Sequence, residues 1–515
     1  MNRFAALSLL TLSLFATEAM AELRLPSLFG HHMVLQRDQE NPVWGWADHG
    51  ADVSVTFGGH TLQTKANEEG KWMLKLKPMK GSSHALNMTV KSGDESLTLS
   101  NIVIGEVWVC SGQSNMQWAL SQVYDPDLEI MSANYPNIRI ISVPQVGTQD
   151  NQDDFDGQWD ICTPDTIGQF SAVGYLFGRQ LHQTLGVPIG LIDNAWGGSA
   201  AEAWVARDVL EADERFEAVI AEWEKTEATF DFDKSMAAWK EKAAAAKEAG
   251  KPAPRAPRNV LAGQHRPGNL WAGVLNPIIG YGIRGTIWYQ GESNAGRAYQ
   301  YDDLFGLMIT EWRKAWGQGD FPFYWVQLAD FREEVAEPGD SDWAELREAQ
   351  SKTLALPNTG QAVIYDVGEG RDIHPRDKQT VAKRLARIAL ARDYGIDVPY
   401  LSPSFKKMTI EGNKAILTFQ DVGSTLYTFD VREAVGFAVA GEDKTWQPAT
   451  GTLKGKDKVI VTSDAVATPV AVRYAWATNP VANLMSREGL PVIPFRTDNW
   501  PQITEPATQP APAAE

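Results

Sequence analysis

The chain runs to 515 residues, 43% of them hydrophobic, with a formal net charge of −18. That length predicts two to four domains with cores large enough to need no metal or disulfide staple. The acidic balance excludes a nucleic-acid binder, which needs a basic face, and disfavours a polyanionic substrate held by bulk field, though not a single carboxylate held by one Arg.

Residues 1–21 read as an export leader. Arg3 supplies the positive start, residues 4–16 are an apolar stretch too short to span a bilayer, and Ala19-Met20-Ala21 fits a small-x-small cleavage pattern. The mature chain would begin at Glu22, in the periplasm or outside the cell; an uncleaved anchor is the alternative. No later apolar run reaches the about 18 residues of a membrane span. Residues 22–100 alternate apolar and polar over short runs (53–57, 72–76, 86–90, 96–99) between Gly-rich turns, which predicts an N-terminal β-sandwich domain.

The pattern changes near residue 101. Buried strand-like runs at 104–109, 138–143, 189–193, 286–289, 323–328 and 362–365 are separated by helical stretches such as 171–184, 301–316 and 342–356. This alternation predicts an α/β domain over 101–395, a parallel sheet with helices on both faces. Residues 207–265 break the rhythm. An Ala-, Lys- and Glu-rich helix at 237–249 precedes a Pro-rich extended linker at 251–257, so the segment reads as a helical insertion on the rim, either a gate or a decoration. Alternation returns over 396–502, a C-terminal β-sandwich-like domain. Residues 503–515, rich in Pro, Ala and Thr, read as a disordered tail.

Cys110 and Cys162 are the only cysteines. Two thiols cannot make a tetrahedral zinc site; in an oxidising compartment they either pair or stay buried and free. The 19 Trp residues suit core packing as well as stacking on sugar faces.

The chemistry-bearing motif is Gly112-Gln113-Ser114-Asn115-Met116, directly after a strand and before a helix. A Ser there sits at the C-terminal edge of the sheet, where open α/β folds keep their sites. Its own N–H, at a helix start, faces developing negative charge. Alone, such a turn is usually structural, and the G-x-S-x-G elbow is absent. A nucleophilic Ser needs a base. Of eight histidines, His374 in Gly370-Arg371-Asp372-Ile373-His374-Pro375 lies after a strand and before a helix, at the same sheet edge, and is favoured over His182 and His265. Asp372 either orients His374 or caps the following helix. Oxyanion donors could come from Asn194-Ala195-Trp196-Gly197-Gly198-Ser199 or from Gln290 or Asn294 in Trp288-Tyr289-Gln290-Gly291-Glu292-Ser293-Asn294, each after a strand.

These four blocks stand in the order of an SGNH hydrolase, and the chain resembles the sialate O-acetylesterase family from about residue 25 to 500. The resemblance is carried by M-V-L-Q-R at 33–37, V-W-G-W at 43–46, G-E-V-W-V-C-S-G-Q-S-N-M, I-W-Y-Q-G-E-S-N-A, F-P-F-Y-W-V-Q-L-A and G-L-P-V-I-P-F-R-T-D-N-W. It implies a flavodoxin-like SGNH sheet and a serine esterase removing O-acetyl groups from a sugar, without cofactor. Ser114 matches the nucleophile and His374 the base. Gly197 or Gly198 matches the backbone donor and Gln290 the side-chain donor, with Asn294 second. Glu292 would buttress its loop and is also a candidate substrate contact, with Trp196, Arg297 and Arg371. Two departures stand out. The residue three before the His is Arg371 and the acid is Asp372, leaving a Ser–His dyad open. Ala272 and Val274 stand where the family usually shows Asn and Met.

The resemblance names sialate; a plant polysaccharide such as xyloglucan is the alternative substrate. A sialate pocket would need an Arg for the carboxylate, with Arg297, Arg332 and Arg371 as candidates. A non-catalytic carbohydrate-binding protein is the reading of another class, and a lipase is disfavoured because no long apolar lid is visible. The sequence is silent on oligomeric state.

Overall fold

A computed structural model describes residues 22–506, so the expected leader lies outside the described residues. The central sheet contains six parallel strands: β1 (Glu95–Gly112), β2 (Tyr135–Ser142), β3 (Ile189–Asp193), β4 (Gly285–Tyr289), β5 (Phe323–Val326) and β6 (Thr359–Ala362). Their order across the sheet is 6-5-4-1-3-2, with Asp160–Cys162 added antiparallel at the β2 edge. β1 therefore lies between β3 and β4, where the strand order reverses direction. Open α/β sheets place ligand sites beyond the carboxyl ends of their strands at such a point.

Both faces of this sheet are buried, which explains its near-continuous apolar runs. The flanking helices are α1 (Ala172–Leu185), α2 (Tyr301–Trp316), α3 (Asp342–Lys352) and α4 (Lys378–Arg392). On one face Phe177 and Leu181 of α1 and Leu385 and Ala389 of α4 share a core with Trp108, Cys110 and Leu191. On the other, Phe305 and Trp312 of α2 and Trp343 of α3 pack with Val109, Ile192 and Trp288. Successive β1 residues thus feed opposite cores. Ser171 caps α1, its Oγ accepting the Gly174 N–H at 3.0 Å, and Gly186, at φ 68°, ends it in the left-handed conformation that favours glycine.

The expected domain boundary at residues 100–101 falls inside one strand. The first part of β1 pairs antiparallel with Ser82–Ser92, within a sheet that also holds Asp52–Phe57 and His60–Lys65, while its last residues pair parallel with β3 and β4. A single extended segment can serve two sheets because its hydrogen-bonding edges are used at different heights. A second pair, Asn41–Trp46 with Lys71–Leu76, lies beside it.

In the insertion, helices Glu217–Thr229 and Phe232–Glu248 follow one another, and the second has no buried residue. Trp239 Nε1 donates to the Pro254 carbonyl at 2.8 Å, tying the Pro-rich linker back to that helix. The C-terminal part is a seven-stranded antiparallel sheet from Ser404–Glu411 to Phe495–Arg496 over a core of Leu417, Phe437, Val459 and Tyr474. Fully buried Arg347 on α3 joins it to the α/β part, donating to the carbonyls of Ala477 and Thr478 at 2.6 and 3.0 Å.

One open choice is decided and one expectation needs correction. Cys110 and Cys162 are both buried and unpaired; each is absorbed by the apolar core on the α1 side of the sheet, so burial rather than a cross-link accounts for them. Residues 503 and 504 are held against the protein and do not fit the expected tail: the Ile503 N–H donates to Glu345 Oε1 and the Thr504 hydroxyl to Glu345 Oε2, both at 2.7 Å. Residues 507–515 lie outside the described residues. Among the described residues no helix is long and apolar enough to cross a membrane.

Candidate active site

β1 ends at Gly112, whose φ of 132° and approach to β4 admit no side chain: a Cβ there would lie 2.2 Å from the Tyr289 carbonyl oxygen. The tight passage turns the chain into a single helical turn, Ser114–Gln117, with Ser114 at its first position. A backbone N–H at that position has no intrahelical acceptor.

Ser114 and His374, 260 positions apart, meet with Oγ and Nε2 at 2.9 Å. Asp372 Oδ1 accepts the His374 backbone N–H at 2.9 Å and lies 3.1 Å from Nδ1. One carboxylate oxygen therefore fixes both the loop and the ring, and makes Nδ1 the protonated nitrogen, leaving Nε2 to accept from Ser114. The imidazole is stacked on Trp118, centroids 4.4 Å apart and planes 12° from parallel. Its pKa is lowered, chiefly by burial and less by the Lys378 charge, which together outweigh Asp372. The side chain of Asp372 is 54% exposed, so water screens its charge.

Beneath this pair lies a cluster in which sequence reasoning gave a role to Glu292 and missed Asn115 and Lys378. Lys378, fully buried at the start of α4, donates to Asn115 Oδ1 at 2.6 Å. Asn115 Nδ2 donates to Glu292 Oε1 at 2.6 Å and to the Ile373 carbonyl at 2.9 Å. Asn115 thus ties the serine turn, the β4 loop and the histidine loop together. Burial pushes Lys378 down to about 7 and raises Glu292, whose Oε2 has no partner. Asn115 sits inside the Ser114 motif, which was a clue; nothing in the helical run from Lys378 signals that its first residue is buried.

The expected oxyanion donors divide. Gly197 faces Ser114, since a Cβ on it would lie 3.4 Å from Ser114 Cβ, and its N–H donates to Gln117 Oε1 at 2.8 Å. Gly198 presents its carbonyl to Ser293 Oγ at 2.9 Å and to His265 Nε2 at 2.6 Å. Gln264 Nε2 likewise donates to the Gly197 carbonyl at 3.3 Å, so the end of the insertion clamps this turn.

Gln290 is not placed to donate to a substrate. It is wholly buried, its Nε2 serves the Ser199 carbonyl and Asn294 Oδ1 at 3.1 and 2.7 Å, and its Oε1 accepts from the Tyr301 hydroxyl at 2.7 Å. Asn294 is also buried, donating to Glu202 Oε2 at 2.8 Å and accepting from the Ala201 N–H at 3.0 Å. Both are scaffold for the turn: a Gln or Asn beside a Gly after a strand looks the same in sequence whether it faces the cleft or the core.

Trp196 is half-buried with its N–H on the Gly112 carbonyl at 3.0 Å, and its ring packs into the core rather than the cleft. Arg297 is ion-paired with Glu202, and Arg371 is exposed outside the cleft. Ala272 and Val274 are buried in a π-helical turn and do not line the cleft. The cleft beside Ser114 has a volume of about 680 Å³, and Trp118, Gln117, Gln145 and Asp193 contribute to its walls with His374 at its edge.

A serine and an imidazole at hydrogen-bonding distance at the switch point of a parallel sheet are the parts of a hydrolase that works through an acyl-enzyme. Comparison with known proteins narrows this to carbohydrate esterases: residues 275–390 match the family model described as carbohydrate esterase, sialic acid-specific acetylesterase. Mouse sialate O-acetylesterase is 31% identical, with 89% of this chain and 90% of that protein covered; the human protein is 29% identical, with 89% and 88% covered. A carbohydrate acetylesterase from Xanthomonas citri has a solved structure that superposes with a TM-score of 0.80 at 38% identity, covering 93% of this chain and all of that one. The chain belongs to the sialate O-acetylesterase family.

Proposed function

We infer that the protein hydrolyses O-acetyl esters of sugars by acyl transfer through Ser114. The observation that carries this is the 2.9 Å contact between Ser114 Oγ and His374 Nε2, in a chain whose relatives are sialate and carbohydrate acetylesterases. With the edge strand β2 set aside, the other five strands, counted in chain order, follow the flavodoxin-like order 2-1-3-4-5, which supports an SGNH-type reading of the sheet.

Ser114 Oγ attacks the acetyl carbonyl while Nε2 takes its proton. The imidazolium that forms is stabilised by Asp372 across Nδ1–H. The oxyanion rests on the backbone N–H groups of Ser114 and Gly197, the latter once Gln117 Oε1 yields its place. Nε2 then returns the proton to the departing sugar oxygen. Water, deprotonated by the same nitrogen, attacks the acetyl-serine, and acetate departs as Nε2 returns that proton to Ser114 Oγ. Gln290 and Asn294 hold the Gly197–Gly198 turn and touch no reacting atom in this scheme.

Ser114→Ala should cut acetate release from an acetylated sugar by at least about a thousandfold with an unchanged fold; wild-type turnover in that variant would overturn the assignment. A binding protein would bind the sugar and release no acetate. Export belongs to the same proposal, resting on the leader-like residues 1–21, and N-terminal sequencing of mature protein should begin at Glu22.

A further inference from the structure

The walls of the Ser114 cleft bear on which acetylated sugar it takes. Among the described residues that line it there is no Arg or Lys, and the one carboxylate is Asp193 at the end of β3. The arginines that could serve a substrate carboxylate are elsewhere. Arg297 is committed to Glu202, Arg332 sits over the Phe331 ring at 5.7 Å, and Arg371 is exposed outside the cleft. Arg376 beyond the rim is paired with Glu369 at 3.1 Å.

Amides fill the cleft walls instead, from Gln117, Gln122, Gln145 and Gln169. Each is tethered through one end of its amide. Gln117 Oε1 accepts from Gly197 and Gln122 Oε1 from Ala119, at 2.8 and 3.3 Å. Gln145 Nε2 donates to the Ala195 carbonyl and Gln169 Nε2 to Ser121 Oγ, at 3.3 and 3.4 Å. Two amide N–H₂ groups and two amide carbonyls are left for a ligand, a set that matches hydroxyl groups, which both donate and accept. A carboxylate would find weak neutral donors in place of the bidentate, charge-assisted partner such groups require when desolvated.

Asp193 adds a negative element. Its Oδ1 accepts the Ala195 N–H at 3.1 Å, the Ser171 N–H also bonds its carboxyl, and among the described residues no cation pairs with it. Burial raises its pKa to about 7, so an anion brought beside it either meets a like charge or must force it to keep its proton.

We propose that the cleft selects acetyl esters of uncharged sugars, with Asp193 as the specificity residue that disfavours substrates carrying a carboxylate. Asp193 lines the cleft with a carboxyl that towards a substrate carboxylate is at best neutral and above its pKa repulsive. This inference rests on the proposed esterase function and deepens it.

The test compares kcat/KM for an O-acetylated sialic acid with that for its carboxylate methyl ester, which differs only in charge. 4-Nitrophenyl acetate serves as a control that carries no sugar. The wild-type protein should favour the methyl ester by roughly tenfold above pH 7, and Asp193→Asn should narrow that ratio. Because each ratio is taken within one variant, a general loss of activity cancels; Asp193→Ser reads the same ratio should Asp193→Asn fail to fold. A free acid hydrolysed as well as or better than its methyl ester, with 4-nitrophenyl acetate still turned over, overturns the neutral-sugar inference and leaves the esterase standing. A ratio unmoved by the Asp193 variants removes that residue's role. If 4-nitrophenyl acetate is not hydrolysed at all, the esterase reading itself has failed.

Discussion

Gln117 Oε1 accepts the Gly197 N–H at 2.8 Å, so a carbonyl oxygen from the serine's own helical turn occupies the donor that an ester oxyanion needs. An oxyanion must displace it, and a neutral hydrogen bond of this kind is worth about 1 kcal/mol net. Gln117→Ala should therefore raise kcat/KM for 4-nitrophenyl acetate by roughly fivefold, a small ester that draws nothing from the sugar-facing amides. A fall instead would mean that Gln117 Nε2 is itself a donor to the reacting ester.

Asp372 holds both the His374 ring and its backbone N–H, yet it is more exposed than not. A buried aspartate in this role is worth about 10⁴ in kcat, but an exposed charge is screened. Asp372→Asn should lower kcat by about 10- to 100-fold with little change in KM, measured on an acetylated sugar. A loss as deep as that of Ser114→Ala would make Asp372 indispensable, and no loss would leave a Ser114–His374 dyad.

The pH profile follows from the imidazole. Catalysis needs neutral His374, and burial lowers its pKa, so the neutral form persists to more acid pH than an unperturbed imidazole allows. The acid limb of kcat/KM should fall below pH 6.5. Asp372 favours the protonated ring, so Asp372→Asn should move that limb to still lower pH. Asp193, at about 7, titrates above the limb, and the Asp193→Asn profile separates the two.

The elements that carry Ser114 and His374 were legible because strand and helix signals flank both. α2 was read with its observed ends, residues 301–316, and β3 likewise at 189–193. β6 was expected at 362–365 and is Thr359–Ala362. The stronger apolar signal beyond it belongs to packing, since Val363 and Tyr365 are buried in the C-terminal core and not in the ladder. The direction of a turn's side chains was the least legible feature. Gln290 and Gln117 are both amides beside the expected oxyanion site, and only tertiary packing turns the first into the core and the second onto Gly197.

Asn115 is the test of how the site is held together. Its amide is the hydrogen-bond partner of buried Lys378 Nζ and of Glu292 Oε1, and it grips the Ile373 carbonyl, one residue before the base. Asn115→Ala strips both buried ionisable groups of that bond and releases the histidine loop. Removing a partner from a buried charged group costs about 3 kcal/mol, and the variant should lose at least that much in urea unfolding. Its kcat should fall more than its KM rises, because His374 is misplaced while the cleft amides stay. Asn115→Asp separates position from charge: a carboxylate still accepts from Lys378 but cannot donate to Ile373 or Glu292 and repels the latter. If Asn115→Asp matched the wild type in both kcat and stability, the tie to the Ile373 carbonyl would have no part in positioning His374.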